Sequence, residues 1–366
     1  MTPLTGLLVL SACALLLYCA ASAEDERPLQ WHDATALKIE GRAWDETQDF
    51  FDRLPARALD EVSDSIKGLA KLSAGMAIRF ATDTDQLQVR WGISDGPYVM
   101  PHMAASGTSG LDLYRKTADG RWSYAGTGIP ADNKDNEWQA FANRPRTERT
   151  FLLYLPLFNR ATALSIGISP GSTLGIVPSG CGKTLVFYGT SIVHGGCASR
   201  PGMAYPAMIG RALDCETVNL GFSGSARMEP VICDLLAELD PAVYVIDALP
   251  NMHGEAVTER TLNLVRTVRK QRPATPIVLV ESITHQTGLA WAEDERREHD
   301  LNAQFRKAYE ELLSEGCFAL HYLEGGDLLG TDGEGTVDGV HPTDLGFSRM
   351  AAVIGSVVAD ALAQSR

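Results

Sequence analysis

The stretch Leu185-Val186-Phe187-Tyr188-Gly189-Thr190-Ser191 decides the fold of the second half of this 366-residue chain. Four consecutive apolar residues predict a buried strand, and the small and polar residues after them end it. Four similar apolar runs follow at residues 217–220, 243–246, 277–280 and 318–323. Strands that are apolar throughout are typical of parallel sheets, which helices cover on both faces.

Helical stretches fall between these runs, at residues 203–213, 255–272, 292–315 and 343–363. Pro273 and Gly316 close the second and third helices, and Thr343 is a candidate N-cap for the last. This alternation predicts an α/β domain over residues 183–366, with a three-layer α/β/α, flavodoxin-like parallel sheet. Ligands of such sheets bind at the carboxyl ends of the strands, and Ser191 follows the first strand directly.

The preceding residues, 24–178, have a different pattern. Short stretches such as Leu87-Gln88-Val89-Arg90-Trp91 alternate apolar and polar side chains, as half-buried strands do. Turn sequences such as Ser169-Pro170-Gly171 separate them, and no long amphipathic helix is evident. We therefore predict an all-β sandwich domain before the α/β domain.

The N-terminus has the composition of a secretory signal peptide. Residues 4–21 are almost wholly apolar, and Ala21-Ser22-Ala23 is a small-residue cleavage pattern before an acidic cluster. We predict that residues 1–23 are removed and that the protein is secreted or periplasmic, without stable membrane insertion. A retained membrane anchor, or a lipid attached at Cys13, is the alternative. Five cysteines remain beyond residue 23, an odd number without a C-x-x-C pair, so no disulfide is predicted.

Composition and motifs exclude several partners and cofactors. The formal net charge of −14 argues against nucleic acid or an anionic membrane surface and fits a neutral substrate. No H-E-x-x-H motif or paired Cys/His cluster is present, so neither a metal site nor a cofactor is predicted. Residues 177–184 approach a P-loop, but Val177 replaces its first glycine and a strand follows, so no nucleotide is predicted.

A candidate catalytic set lies at the predicted strand ends. Asp338-Gly339-Val340-His341 sets a carboxylate three residues before a histidine, so one tight turn delivers both groups. With Ser191 they supply the nucleophile, the base and the orienting carboxylate of a serine hydrolase. Two further loops follow predicted strands, and they contain Gly224 and Asn251. Each residue alone could be a helix cap or a turn residue; the joint placement at strand ends favours catalysis.

In this order the loops resemble the SGNH (GDSL-type) hydrolase superfamily. The resemblance implies that Ser191 is the nucleophile, His341 the base and Asp338 its orienting carboxylate. It also implies an oxyanion hole formed by the N–H groups of Ser191 and Gly224 and the side-chain amide of Asn251. Two blocks depart from the usual pattern, because G-T-S replaces G-D-S and L-P-N-M replaces G-x-N-D.

Gly110-Leu111-Asp112-Leu113-Tyr114 extends the resemblance to one branch of that superfamily, in which a β-sandwich with a G-x-D-L-Y signature precedes the hydrolase domain. The branch implies a serine esterase that acts on small acyl esters, with O-acetyl groups on carbohydrate as the expected substrate. Two alternatives stay open: an acyltransferase that uses the same Ser-His-Asp chemistry, and a non-catalytic carbohydrate-binding protein.

Three further residues are candidates for substrate binding. His102 lies in a Met-rich loop of the sandwich that could reach the active site. His194 follows Ser191 by three residues, with a satisfied structural histidine as the alternative. Arg227 could reach an acyl or sugar group, or could form a salt bridge with Glu229 or Asp234 instead.

Overall fold

The computed structural model describes residues 28–94, 96–131, 134–253, 256–286 and 292–364, with the backbone alone at 292–295. The predicted signal peptide lies outside the described residues. The strands of the N-terminal half are β1 Gln30–Asp33, β2 Ile39–Glu40, β3 Ala77–Thr82, β4 Leu87–Ile93, β5 Leu111–Lys116, β6 Trp122–Gly128, β7 Asp135–Phe141, β8 Arg149–Tyr154, β9 Ala161–Ile168 and β10 Leu174–Ile176.

These strands form the predicted β-sandwich. One sheet has the order β1-β9-β4-β7, and the other has the order β10-β3-β8-β5-β6 with β2 beside β3. The strand pairs within both sheets are antiparallel. Phe80, Trp91 and Leu113 are buried between the sheets, because alternate side chains of each strand face inward.

The segment between β2 and β3 departs from the prediction. It contains helix α1, Asp64–Ala70, whose N-cap Ser63 accepts a hydrogen bond from the Ile66 N–H at 3.3 Å. Trp44, Leu54 and Ile66 are buried in one cluster with side chains of the parallel sheet. The sequence pattern places residues 44–70 in the sandwich, because they lie within the predicted sandwich domain, residues 24–178. Their packing instead completes the core of the second domain.

The parallel sheet is built from β11 Thr184–Gly189, β12 Glu216–Gly221, β13 Val243–Asp247, β14 Ile277–Val280 and β15 Leu320–Leu323. Their order, β12-β11-β13-β14-β15, is flavodoxin-like, and the adjacent strands are parallel, as predicted. Gly189 pairs with Gly221 on one side and with Asp247 on the other. The loops that follow β11, β12 and β13 therefore leave the same edge of the sheet side by side.

Helices cover both faces of this sheet. They are α3 Ser191–His194, α4 Tyr205–Leu213, α5 Pro230–Glu238, α6 Ala256–Gln271, α7 Ala292–Ser314 and α8 Asp344–Gln364, while α2, Ala105–Thr108, belongs to the sandwich. Side chains of α4 and α8 are buried in one cluster, and those of α5, α6 and α7 in another. The sequence analysis missed α5. Thr343 caps α8 as predicted, since its Oγ1 accepts from the Gly346 N–H at 3.2 Å.

Helix α8 is long and mostly apolar. Among the described residues, it has the length and composition of a helix that could cross a membrane. Phe347, Met350 and Ile354 of α8 are, however, buried against the parallel sheet together with residues of α4. This packing identifies α8 as a core helix of the third layer.

A disulfide joins Cys181 to Cys215, a pairing that the sequence did not predict. The two cysteines precede β11 and β12, neighbouring parallel strands in which Thr184 pairs with Glu216. The Cys181 N–H also donates to the Asp214 carbonyl at 3.0 Å. Residues far apart in sequence therefore meet where two adjacent strands begin. The odd number of cysteines and the lack of a C-x-x-C pair do not indicate that Cys181 and Cys215 lie close together.

Candidate active site

Ser191 begins helix α3 at the carboxyl end of β11. Thr190 is the N-cap of that helix, and its side chain accepts a hydrogen bond from the Ile192 N–H at 3.3 Å. Gly195, in the left-handed conformation, ends the helix after a single turn. The backbone N–H of Ser191 lies in the first turn, where N–H groups have no acceptor within the helix. The strand-to-helix turn thus presents a hydroxyl and a free donor at the sheet edge.

His341 and Asp338 are placed beside Ser191 by the loop before α8. The Ser191 Oγ lies 2.9 Å from the His341 Nε2, and the His341 Nδ1 lies 2.7 Å from the Asp338 Oδ2. The other Asp338 oxygen accepts from the backbone N–H groups of Val340, at 3.0 Å, and His341, at 2.7 Å. Gly339 has φ +89°, which permits this tight turn. The structure thus brings the three residues of the predicted set into contact.

The Asp338 carboxylate is held in its charged form. Burial by itself raises the pKa, but the hydrogen bonds from His341 and Val340 outweigh burial, and the pKa of Asp338 is lowered. A carboxylate at this distance accepts a hydrogen bond from the His341 Nδ1–H and leaves the Nε2 lone pair facing Ser191. The arrangement can therefore take a proton from the Ser191 hydroxyl.

Gly224 and Asn251 lie on the loops after β12 and β13, next to the loop of Ser191. Gly224 is exposed and has φ +68°, a conformation that favours glycine. Asn251 ends a 3-10 turn, Leu249–Asn251, and its Oδ1 is buried without a hydrogen-bond partner among the described residues. The Pro250 carbonyl in this turn accepts from the Arg297 Nη2 at 2.9 Å, so α7 anchors the turn. Both loops lie beside the loop of Ser191 because β12 and β13 flank β11 in the sheet.

His102 approaches this site from the sandwich. Its ring centroid lies 5.9 Å from that of His341, with the two rings tilted by 45°. Met100 and Met103 exchange backbone hydrogen bonds at 3.3 and 3.1 Å, which shapes the loop that carries His102. The buried Met103 packs into the core of the hydrolase domain. A loop of the first domain therefore forms part of the rim around His341.

His194 is not on the site surface, which corrects its assignment to substrate binding. Its side chain is fully buried, its Nε2 donates to the Leu157 carbonyl at 2.8 Å, and its ring stacks on Phe158 at 4.1 Å. Burial, and then the nearby Arg53 charge, hold the pKa of His194 well below its ordinary value. A neutral His194 therefore joins the two domains, as the structural alternative predicted.

Arg227 is exposed on the loop after Gly224. Its Nη2 donates to the Gly224 carbonyl at 3.4 Å, and its backbone N–H donates to the Glu229 carboxylate at 3.2 Å. Its guanidinium forms no ion pair with Glu229 or Asp234 in the described part of the chain, so that alternative is not supported. Arg227 instead lies over the loop that carries the candidate oxyanion donor.

Arg53 is a residue that sequence reasoning missed. Its buried guanidinium donates to the carbonyl oxygens of Asn219 at 3.0 Å, Gly221 at 2.8 Å and Leu69 at 2.7 Å. Burial lowers the pKa of Arg53 to about 9. Because Asn219 and Gly221 lie in β12, Arg53 fixes the strand end from which the Gly224 loop departs. Only the packing of residues 44–70 on this sheet, which the sequence pattern did not reveal, brings Arg53 there.

Cys197 is a second missed neighbour. Its Sγ, a carboxylate oxygen of Asp338 and a ring nitrogen of His341 lie within 4.8 Å of one another. These atoms are potential ligands for a soft or borderline cation, although Asp338 and His341 already bond each other. Burial, and then the Asp338 charge, raise the pKa of the Cys197 thiol to about 12. The thiol is therefore protonated and a poor nucleophile.

Comparison with known proteins matches this geometry to a family. A family model for GDSL-like lipases and acylhydrolases matches residues 182–359, and a model for the N-terminus of SGNH-type esterases, named GxDLY, matches residues 29–174. A protein from Bacteroides ovatus ATCC 8483, assigned as a GDSL-like lipase, has a structure with a TM-score of 0.86 and 34% sequence identity, over 92% of this chain and 98% of that chain. The chain belongs to the GDSL-like lipase/acylhydrolase family. As a member of the SGNH type, it is a carboxylic ester hydrolase by family.

More distant structures share the fold of this GDSL-like family member. The salicylyl-acyltransferase SsfX3 from a tetracycline biosynthetic pathway has a TM-score of 0.72 and 21% identity, over 91% of this chain and 97% of that chain. A family two carbohydrate esterase from Cellvibrio japonicus has a TM-score of 0.57 and 12% identity, over 92% and 98% of the chains. Among curated proteins, none matches the sequence.

Proposed function

We propose that this protein is an exported serine esterase that removes small acyl groups, O-acetyl in particular, from carbohydrate. The observation that carries the proposal is the Ser191–His341–Asp338 chain of contacts, at 2.9 and 2.7 Å, at the carboxyl edge of the sheet. The Cys181–Cys215 disulfide fits an oxidising compartment, as the predicted signal peptide does. Solved carbohydrate esterases with this fold motivate the choice of substrate.

The mechanism follows from the positions of the groups. The Ser191 Oγ attacks the ester carbonyl carbon while its proton passes to the His341 Nε2, and Asp338 stabilises the imidazolium. The negative charge on the carbonyl oxygen is met by the N–H groups of Ser191 and Gly224 and the amide of Asn251. The intermediate collapses, and the departing alkoxide takes the proton from His341 as the free alcohol. Water then attacks the acyl-serine, with His341 again as base, and releases the carboxylic acid.

His102 is proposed as a substrate-binding residue at the rim. It is exposed, lies beside His341 and belongs to the sandwich, so it can contact the part of the substrate beyond the scissile ester. Arg227 is proposed to contact the same region from the opposite loop. Both residues would affect the binding of a sugar ester more than that of a small synthetic ester, which does not extend to the rim.

The first test is hydrolysis of p-nitrophenyl acetate by the wild type and by Ser191→Ala and His341→Ala. Each variant should lose at least about 10³-fold in kcat, because removal of either group leaves only residual catalysis. Ser123→Ala and His299→Ala change exposed residues of the same types and should keep the wild-type rate. An inactive wild type, or alanine variants at full rate, would refute the proposal.

Acyl transfer is the second candidate, because a salicylyl-acyltransferase shares this fold. Only 8% of Ser191 is exposed, so a bound substrate that covers the residue would leave little room for water. If an alcohol enters where water would attack, the same acyl-serine yields a new ester. Product analysis with acetylated xylan, alone and with an oligosaccharide acceptor, separates the two functions. Acetate as the main product supports hydrolysis, and acetylated acceptor supports transfer.

A further inference from the structure

The β-sandwich carries a groove that is separate from the candidate active site. It opens where β7 of one sheet approaches β5, β6 and β8 of the other, and its volume is about 530 Å³. Arg115, Arg144 and Arg149 line it, together with the aromatic rings of Tyr124 and Phe141. No aspartate or glutamate is among its lining residues in the described chain. The lining of the groove is therefore positively charged, although the whole protein has a formal net charge of −14.

Two of these arginines are available to a ligand. Arg115 and Arg144 are exposed, and neither guanidinium forms an ion pair with a carboxylate of the described residues. Other exposed arginines of the sandwich are paired; Arg90, for example, lies 2.6 Å from Glu137. Guanidinium groups that share one groove and form no ion pair attract anions, although Glu148 lies on an adjoining surface with Arg115 and Arg149.

Arg149 supplies a third, fixed charge. Its Nη1 donates to the Thr84 carbonyl at 3.3 Å, and its Nη2 donates to the Pro145 carbonyl. Carbonyl partners hold the guanidinium in place without neutralising it. The groove therefore combines one positioned guanidinium with two exposed ones.

The aromatic wall adds a surface for a sugar ring. Tyr124 is 54% exposed, so part of its ring is open to solvent beside the arginines. Tyr124 also contacts the hydrolase domain, because the Arg200 guanidinium lies 4.4 Å from its ring centroid. Phe141 stacks on Phe151, with ring centroids 5.6 Å apart, which stiffens the groove floor. Apolar ring faces next to cations suit a ligand with alternating sugar rings and carboxylates.

We propose that this groove binds the carboxylate groups of an acidic polysaccharide whose ester groups the active site hydrolyses. Guanidinium groups recognise carboxylates through two parallel hydrogen bonds, which gives both affinity and orientation. The rest of the acidic surface repels such a polymer, so the groove would select where the polymer binds and how it faces the active site. The proposal rests on the esterase function above and names its substrate class. A single-stranded nucleic acid is the competing polyanion, and its binding is one of the outcomes measured below.

The test compares calcium-free polygalacturonate with the same polymer after its carboxyl groups have been reduced. Binding of each to the full chain is measured by titration calorimetry at low and at moderate salt. The wild type should bind the charged polymer more tightly, and added salt should weaken that binding. Arg115→Gln with Arg144→Gln should raise Kd by about tenfold or more, since each lost charged hydrogen bond costs about this much.

The matched control is Arg90→Gln with Arg121→Gln, which removes the same charge from paired arginines outside the groove. It should change Kd by less than about twofold, since exposed ion pairs contribute little. Thermal midpoints establish that both double variants are folded. Equal binding of the two polymers, equal Kd values for the groove and control variants, or equal binding of a single-stranded oligonucleotide would each overturn the proposal.

Hydrolysis of p-nitrophenyl acetate separates this proposal from the esterase function. Both double variants should keep the wild-type rate, because none of the four arginines belongs to the Ser191 site. If the wild type does not hydrolyse the ester, the esterase function fails, and the polymer titration still decides whether the groove binds carboxylates. If hydrolysis is normal but no charged polymer binds, the groove proposal alone fails.

Discussion

Asp112 of the sandwich and Arg200 of the hydrolase domain form an ion pair across the domain boundary. The Arg200 Nη1 donates to the Asp112 Oδ2 at 2.7 Å, and the Gly202 N–H donates to the same oxygen at 2.9 Å. Burial raises the pKa of Asp112 to about 6, although Arg200 opposes that shift. The central residue of the G-x-D-L-Y signature therefore joins the two domains.

Asp112→Ala should destabilise the protein by about 3 kcal/mol, because the change leaves Arg200 and the Gly202 N–H without their buried partner. Urea unfolding at pH 7 measures the effect. Asp119→Ala removes an exposed carboxylate paired with Arg121, and it should leave the free energy of unfolding nearly unchanged. Similar costs for the two variants would contradict the proposed importance of the interdomain pair.

Asn251→Ala should lower kcat for p-nitrophenyl acetate by about 10²–10³-fold, with little change in KM, because an oxyanion donor acts mainly in the transition state. The Asn251 Oδ1 has no partner to lose among the described residues, so the thermal midpoint should stay near the wild-type value. Steady-state kinetics and a thermal melt measure both quantities. A raised KM with unchanged kcat would place Asn251 in ground-state binding instead.

Asp338→Asn should reduce kcat by about 10³–10⁴-fold, because an amide no longer favours the His341 tautomer with its proton on Nδ1. In the wild type, the lowered pKa of Asp338 keeps this carboxylate charged well into the acid range. Protonation of Asp338 should therefore add no separate step to the acid side of the rate profile. A profile of kcat/KM from pH 4 to 9 tests this. A flat acid side would exclude His341 as the base.

Asp247 gives a prediction for stability against pH. It is buried beneath the site and accepts from the Tyr205 hydroxyl at 3.0 Å, and burial raises its pKa from 3.8 to about 7. Because the folded pKa is the higher one, its favourable contribution is complete below about pH 4 and is lost as the pH rises through about 7. Asp247→Asn cannot ionise and avoids this loss, which is on the order of 4 kcal/mol.

The measurement is urea unfolding of both proteins at pH 5 and pH 8. The stability of Asp247→Asn relative to the wild type should increase with pH, and other titrating groups cancel in that difference. A difference that does not change with pH would show that Asp247 titrates normally in the folded protein.

The parallel sheet was predictable because most of its strands are continuous or nearly continuous apolar runs, and the active-site loops were predictable because they follow those strands. Ser191, Asp338 and His341 could be proposed together since strand order fixes which loops are neighbours. Helix α5 was missed because it is short, although Pro230 at its first position is a favoured start for a helix. Periodicity over nine residues is weak evidence for a helix.

Contacts between segments that are distant in sequence could not be predicted. The positions of Arg53, Cys197 and Arg200 depend on how the two domains pack, and no local pattern encodes that packing. His194 shows the opposite error. Proximity to Ser191 in sequence suggested a place in the site, but a one-turn helix directs the two side chains differently. The His194 side chain is buried because it packs against Leu157 and Phe158 of the other domain.

Residues 44–70 limit how this protein can be divided. A gene fragment that starts at the change of pattern near residue 178 would encode every strand of the parallel sheet but would lack Trp44, Leu54 and Ile66. The truncated product would expose an apolar face to water and would lose Arg53 at the end of β12. The two halves are therefore not interchangeable modules, and recombination between relatives would have to exchange them as one unit.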